Sequence, residues 1–446
     1  MPSSSNKRKT IAIFAAQVGR AWGAEFIAGI NHAAEEANVN VVHFIGGTLA
    51  HSAQSKRPED SFYLYNLAKP DQFDGLIFTA DVAYGVTADD LALFRERFRG
   101  VPIVTQSVEL EDAHMFIADN VGGMRAEVRH LIETHGYTKI AFVRGIAGQI
   151  DAEQRFRAYK EELEAHGLRF DEKLVAQGDF TPESGRNAVL TLFDERKIRP
   201  QAIVAANDRM AFGALEALQE RGVRVPDDVA VAGFDDQREA QATGAPLTTV
   251  RQSFYTAGKQ AFEALLSRMN GEALQKITVT PTQLLIRWSC GCLPENVKQA
   301  AVAPREVAKT GRLENKRDAA ILALLDVVGV AEGDSARGAF HERFERAWDS
   351  FLLALRDVAA GDDFLKSINA MVELMQKHGL SADVWHNVLS TMRRYALGGI
   401  VNHTVMLGAE NLFQQARLLT GELSRRTQAY RRLALEQQEN ILQAFG

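Results

Sequence analysis

Proline usage sets the outer limits of what this chain can fold into. All 11 prolines fall between Pro2 and Pro304, and the stretch from Arg305 to Gly446 contains none. Proline lacks an N–H and its ring clashes with the preceding helical turn, so helix interiors exclude it. The proline-free tail is therefore expected to be helical throughout, and the proline-bearing part to be cut into short elements. At 446 residues the chain exceeds one ordinary domain. The change in proline usage marks where it divides. The polar segment Leu293 to Gly311, with Pro294 and Pro304, reads as a linker. The expected organisation is a disordered N-terminus over 1–9, a two-lobed α/β domain over 10–292, the linker over 293–311 and an all-helical domain over 312–446.

Ahead of the linker, short apolar runs rich in β-branched residues alternate with amphipathic stretches. This is the βαβα pattern of parallel sheets covered by helices on both faces. Strands are predicted at Thr10 to Ala16, Val39 to Ile45, Asp74 to Ala80, Val101 to Gln106, Lys139 to Arg144, Leu174 to Gln177, Ala202 to Ala206 and Val229 to Phe234. Helices are predicted near Gly23 to Asn38, Ala88 to Phe98, Val121 to His135, Asp151 to His166, Pro182 to Glu195, Asp208 to Arg221 and Tyr255 to Met269. In the tail, Leu322, Leu325 and Val328, then Phe340, Phe344, Trp348, Phe351 and Leu355, recur at helical spacing. Four or five helices are expected there, punctuated near Gly333, Gly361, Gly379 and Gly398. Leu412, Ala416, Leu419, Leu423, Tyr430 and Leu433 then form a seam of three- and four-residue steps. That seam fits either an ordinary bundle helix or a signalling coiled coil that dimerises.

Composition excludes several function classes. A formal charge of −6 gives no global basic excess for nucleic acid or an anionic membrane. Two cysteines, Cys290 and Cys292, are too few for a disulfide framework. The apolar run Ile11 to Ala16 is too short for a secretory signal or a membrane span, so the chain reads as cytoplasmic. No phosphate loop, HExxH or GxSxG motif occurs, and no enzyme activity or cofactor is expected. The Cys290-Gly291-Cys292 pair could bind metal only with distant partners, and a structural role is the reading adopted. His130, His135 and His166 read as surface or cap residues. His386, followed by Asn387, lacks any accompanying nucleotide-binding signature.

Polar residues gather directly behind the predicted strands. Asn207 and Asp208 follow Ala202 to Ala206, Asp235 and Asp236 follow Val229 to Phe234, and Asp119 and Asn120 follow Met115 to Ala118. Arg155 opens a helix and Phe180 follows Gln177. Parallel sheets bind ligands beyond the carboxyl ends of their strands. Carboxylate, amide and guanidinium groups there suit a ligand rich in hydroxyls, with an aromatic ring covering its apolar face. Taken singly, Asn207 and Asp235 could cap helices and Arg155 could form a surface ion pair.

Four stretches carry a family resemblance: Gly178-Asp179-Phe180-Thr181-Pro182-Glu183-Ser184-Gly185, Ala205-Ala206-Asn207-Asp208-Arg209-Met210-Ala211, Arg224-Val225-Pro226 through Gly233-Phe234-Asp235-Asp236, and Pro246-Leu247-Thr248-Thr249-Val250-Arg251-Gln252. In this order and spacing they resemble the ligand-sensing domain of lactose-repressor/galactose-repressor (LacI/GalR) regulators, over about Lys9 to Cys292. The resemblance implies a type 1 periplasmic-binding-protein fold, with crossovers near Asp119, Pro246 and Pro281. It makes Asp119, Arg155, Asn207 and Asp235 ligand contacts and Phe180 a stacking ring. Trp22 falls where the family often places an aromatic, although Arg20-Ala21-Trp22-Gly23 departs from the usual segment. Nine residues precede Thr10, where DNA-binding members carry a helix-turn-helix, so direct DNA binding is not expected. The ending Arg287-Trp288-Ser289-Cys290-Gly291-Cys292 is similar to sensors that lie upstream of a histidine kinase or diguanylate cyclase. The function implied is a small-molecule sensor, with a sugar the favoured ligand and a purine or nucleoside left open. Ligand-driven lobe closure would be coupled to a helical transmitter, in a homodimer, with a signalling domain or partner downstream. The alternative is a transcription regulator acting without its own reader.

Overall fold

The structure, a computed structural model, describes residues 8–17, 21–49, 64–293, 313–330, 334–357, 360–400 and 402–444, together with 297 and 300. Most of the expected linker, the expected disordered residues 1–7 and the break expected at Gly333 lie outside the described residues. The chain forms two compact units, Met1–Cys292 and Leu293–Gly446.

Two six-stranded sheets build the first unit. One contains β1 (Thr10–Ala15), β2 (Asn40–Ile45), β3 (Gly75–Phe78), β4 (Ile103–Gln106), β5 (His114–Ala118) and β11 (Ile277–Thr280), in the order β11-β5-β4-β3-β1-β2, with every pairing parallel. The other contains β6 (Ile140–Val143), β7 (Val175–Ala176), β8 (Ala202–Ala205), β9 (Ala230–Asp235), β10 (Thr248–Gln252) and β12 (Thr282–Leu285), in the order β12-β10-β9-β8-β6-β7. Only β12 pairs antiparallel among these. Buried on both faces, the central strands need no alternation of polar and apolar residues, which is why they read as continuous apolar runs. The sequence pattern did not mark β10, β11 or β12 as strands, and marked β5 only through the apolar run Met115 to Ala118. β11 and β12 alternate polar and half-exposed residues, as edge strands do.

Helices α1 (Ala21–Glu36), α2 (Ala88–Arg97) and α7 (Phe254–Met269) flank the first sheet, and α3 (Asn120–His135), α4 (Ile150–Ala165), α5 (Pro182–Val189) and α6 (Asp208–Glu220) flank the second. The helix expected over Pro182 to Glu195 widens into π-helical turns at Leu190–Glu195. α1 and α7 touch backbone to backbone: a Cβ at Gly29 would sit 2.0 Å from the Tyr255 carbonyl oxygen, and one at Gly258 would sit 2.0 Å from that of Phe26. The chain passes between lobes after β5, after β10 and at Pro281, between β11 and β12. The middle crossing therefore comes one strand later than Pro246, because β10 completes the second sheet before α7 returns to the first.

The second unit contains α8 (Arg317–Val328), α9 (Arg337–Ala354), α10 (Gly361–Lys377), α11 (Ala382–Leu397) and α12 (His403–Ala444). Phe340, Phe344, Trp348, Phe351, Phe364 and Phe413 fill its core, while Leu322 faces outward. Leu412 and Ala416 are buried in this core, and Leu419 and Leu423 pack against it. The first half of the α12 seam thus serves its own bundle. The side chains of Tyr430 and Leu433 lie outside the described residues. Among the described residues no helix is long and apolar enough to cross a membrane.

Candidate functional site

The strand ends of the two lobes face each other across a cleft with about 780 Å³ of empty space, its open mouth included. Five of the six residues singled out in the sequence, Trp22, Arg155, Phe180, Asn207 and Asp235, line it. Asp119 does not. Its carboxylate caps α3 by accepting from the Gly122 N–H at 2.8 Å, and its backbone is tied to Thr280 and Thr282 at the interlobe crossing. A residue between two lobes closes a helix end as readily as it meets a ligand, and here the cap claims it.

Arg155 is the charged centre of the site and only 4 % exposed. Its Nε donates to Asn120 Oδ1 at 2.8 Å and its NH1 to the Ala206 carbonyl at 2.7 Å. The guanidinium lies over the Phe234 ring, 3.8 Å from the centroid, and 3.6 Å from Asp235 Oδ1. Asp235 ends β9 at a φ of 122°, a backbone that L-residues rarely adopt. This turn brings its carboxylate against the Gln252 amide, which donates at 2.6 Å. Burial raises the Asp235 carboxyl to about 6, against the opposing pull of Arg155. Asp236 turns away and pairs with Arg251 and Arg287 at the sheet edge.

Asn207 caps α6 and also faces the cleft: Oδ1 accepts from the Met210 N–H at 3.0 Å, and Nδ2 donates to the Phe180 carbonyl at 3.3 Å. Asn207 thus caps α6 while lining the cleft. The Phe180 ring packs over Gly145, where a Cβ would fall 2.3 Å from its Cζ, and stands 6.4 Å from the Tyr84 ring of the opposite lobe. Trp22 stands 6.1 Å from Phe254. Ser107 Oγ donates to Asp151 Oδ1 at 3.0 Å, so hydrogen bonding as well as ring contact spans the lobes.

The lining also includes Tyr84, Gln106, Ser107, Asp151, Gln252 and Phe254, which the sequence analysis did not single out. Gln106 Oε1 is buried without a hydrogen-bond partner, an acceptor facing a polar cleft. Gln106 does follow a predicted strand, the one signal that pointed to it. Tyr84 ends a short turn after β3 and carries no such mark.

Behind the cleft lie two further carboxyls. Asp208 accepts from Thr249 Oγ1 at 2.6 Å and from the Gln237 N–H at 2.7 Å, and burial beside Asp235 raises it to about 8. Glu127 is fully buried with neither carboxyl oxygen hydrogen-bonded, and burial holds it well above the usual carboxylate range. Burial thus pushes both carboxyls towards the protonated form, while Asp235 faces Arg155.

A family model described as a periplasmic binding protein-like domain matches residues 128–290. The chain is 39% identical to the HTH-type transcriptional regulator CelR of Thermobifida fusca over 172 residues, 38% of this chain and 50% of that protein. It is 34% identical to the HTH-type transcriptional repressor PurR of Haemophilus influenzae over 238 residues, 51% of this chain and 67% of that one. It thus spans half the length of the first relative and about two thirds of the second. Among solved structures, a CelR–cellobiose complex superposes with a TM-score of 0.55 at 30% identity, covering 63% of this chain and 85% of that one. A lac repressor dimer on its operator, at 0.54 and 23% identity, covers 64% and 94% and shows the fold alone. The cleft is that of a ligand-binding sensor domain, and the chain belongs to the LacI family.

Proposed function

We propose that this protein is a cytoplasmic sugar sensor whose two lobes close on the ligand and pass that closure to the helical unit. The observation that carries this reading is the convergence of Asp235, Arg155 and Asn207 with the unpaired Gln106 acceptor in one interlobe cleft. A ligand with many hydroxyls satisfies such a set, donating to carboxylate and amide oxygens and accepting from guanidinium and amide N–H groups. Phe180, Tyr84 and Trp22 offer rings to its apolar faces. The cellobiose named in the CelR complex favours a sugar over a purine or nucleoside.

Closure does work only if the ligand prefers one lobe arrangement, and a coupling of about 1 to 3 kcal/mol suffices for a switch. The helical unit is the transmitter in this reading. Its last helix, of 42 residues, mediates a homodimer and connects to a signalling output of the kinase or diguanylate cyclase type. The names of the relatives favour one second reading, a transcription regulator that reaches DNA through a partner or through the tail.

Native mass spectrometry of the purified chain, followed by denaturation and identification of released small molecules, tests the sensor reading. A sugar at one per chain is the expected result. A chain that releases nothing, and that no sugar in a broad panel stabilises thermally, refutes it. A mobility assay at several salt concentrations separates the two outputs, since phosphate-driven binding to DNA weakens steeply with ionic strength.

A further inference from the structure

Two segments far apart in sequence place four metal-ligand side chains together on the second lobe. His130 lies in the last turns of α3 and His135 at its end, while Cys290 and Cys292 follow β12 at the close of the first unit. One ligand atom from each lies within 4.8 Å of all the others. Cys290 Sγ is 3.5 Å from His130 Nε2. Cys292 Sγ is 3.6 Å from that same nitrogen and 3.3 Å from His135 Nε2. Around a tetrahedral zinc ion, with Zn–S about 2.3 Å and Zn–N about 2.05 Å, neighbouring sulfur and nitrogen ligands stand about 3.5 Å apart. The observed separations bracket that edge. Cys290 Sγ also reaches the Arg287 carbonyl at 3.3 Å, and His130 Nε2 faces both sulfurs at once. One ion at the centre would engage all four ligands.

We propose that His130, His135, Cys290 and Cys292 form a structural zinc site. The supporting residues fit this role. Thr134 Oγ1 lies 3.1 Å from His130 Nδ1 and can accept its proton in the tautomer that leaves Nε2 for the ion. His135 stacks on Tyr137, with centroids 5.1 Å apart and planes at 12°, and the Tyr137 hydroxyl donates to the Cys290 carbonyl at 3.3 Å. Gly291 between the cysteines takes a φ of 100°, which turns the short Cys-x-Cys segment so that both sulfurs meet the histidines. Both cysteines are buried. Two thiolates with two imidazoles suit a borderline-soft tetrahedral ion, and four protein ligands leave no open position for catalysis. The ion would fasten the last residues of the sensor unit to α3, whose opposite end carries the Asn120 contact to Arg155. One helix would then join the cleft to the point where the chain leaves the sensor.

The test uses the full chain, purified under reducing conditions, stripped with a chelator and titrated with Co²⁺ and then Zn²⁺. One ion per chain, sulfur-to-cobalt charge transfer, the visible bands of tetrahedral cobalt and a rise in melting temperature with Zn²⁺ are expected. Cys292→Ser and His135→Gln should each weaken Zn²⁺ binding by roughly 100-fold or more, and Thr134→Val by roughly 10-fold. The wild-type titration decides even if a ligand variant fails to fold. Absence of stoichiometric Co²⁺ binding, an octahedral spectrum without sulfur charge transfer, or unchanged Zn²⁺ affinity in both ligand variants overturns the site.

Discussion

The first lobe orders its strands β11-β5-β4-β3-β1-β2 and the second β12-β10-β9-β8-β6-β7, one strand order used twice with only the β11 and β12 edges differing in direction. Yet the two lobes present different chemistry to the cleft. Among the described residues, the charged members of the lining, Asp151, Arg155, Arg209 and Asp235, come from the second lobe, whereas Trp22, Tyr84, Gln106, Ser107 and Phe254 come from the first. Topology decides that strand ends meet; the residues at those ends decide what they bind. In the proposed sensor the second lobe supplies the charged anchors and the first closes over them with rings and neutral polar groups. The family model matches residues 128–290, the part of the sensor that contains most of the second lobe.

The largest effect expected from this asymmetry is on Arg155. Arg155→Met leaves Asp235 without its cation and the Asn120 and Ala206 oxygens without a donor. Breaking a buried pair in this way costs about 3 to 5 kcal/mol, to be read from urea unfolding. A loss near that of an exposed ion pair would mean that the second lobe is not built around this charge. Next comes affinity for the released ligand, measured by calorimetry. Asp235→Ala should cost about 2 kcal/mol or more, and Trp22→Ala about 1 kcal/mol. The reverse order would place the anchor in the first lobe.

Acidity sharpens the same contrast. Asp235 titrates at about 6 in the folded protein, and its protonation removes a charged acceptor. Affinity for a hydroxyl-rich ligand should therefore fall as pH drops through about 6, and Asp235→Asn should flatten the profile. The smallest effect belongs to Glu127. Its folded-state carboxyl is held above the ordinary value of 4.5, so the native chain keeps a proton that the unfolded chain releases. The resulting stability is fully present below pH 4.5 and declines as pH rises towards the folded value. Glu127→Gln should remove that decline, seen as a flatter dependence of melting temperature on pH. An unchanged slope would show that Glu127 stays ionised.

Sensor and helical unit differ in how much the sequence discloses. In the sensor, candidate residues were legible because a parallel strand ends abruptly and the next residue must serve a loop or a cap. Asn207 and Asp235 follow that rule, and both line the cleft. Asp119 follows it too, but its carboxylate is used within the chain. In the helical unit, the spacing of Phe340, Phe344, Trp348 and Phe351 announced a buried face. It did not reveal that Leu412 and Ala416 meet that same core, since a seam looks alike whether its partner is the same chain or another.

The sequence by itself determined the βαβα order, the all-helical tail and the ligand-sensing family, because strand and helix periodicity, proline exclusion and strand-end motifs act over a few neighbouring residues. Only the tertiary structure decided that Tyr84 faces Phe180 across the cleft, that Gln106 offers an unpaired acceptor to it, and that Cys290 and Cys292 meet His130 and His135. Those meetings join residues widely separated along the chain. Their distances are set by how sheets and helices pack, and nothing in local spacing encodes that packing.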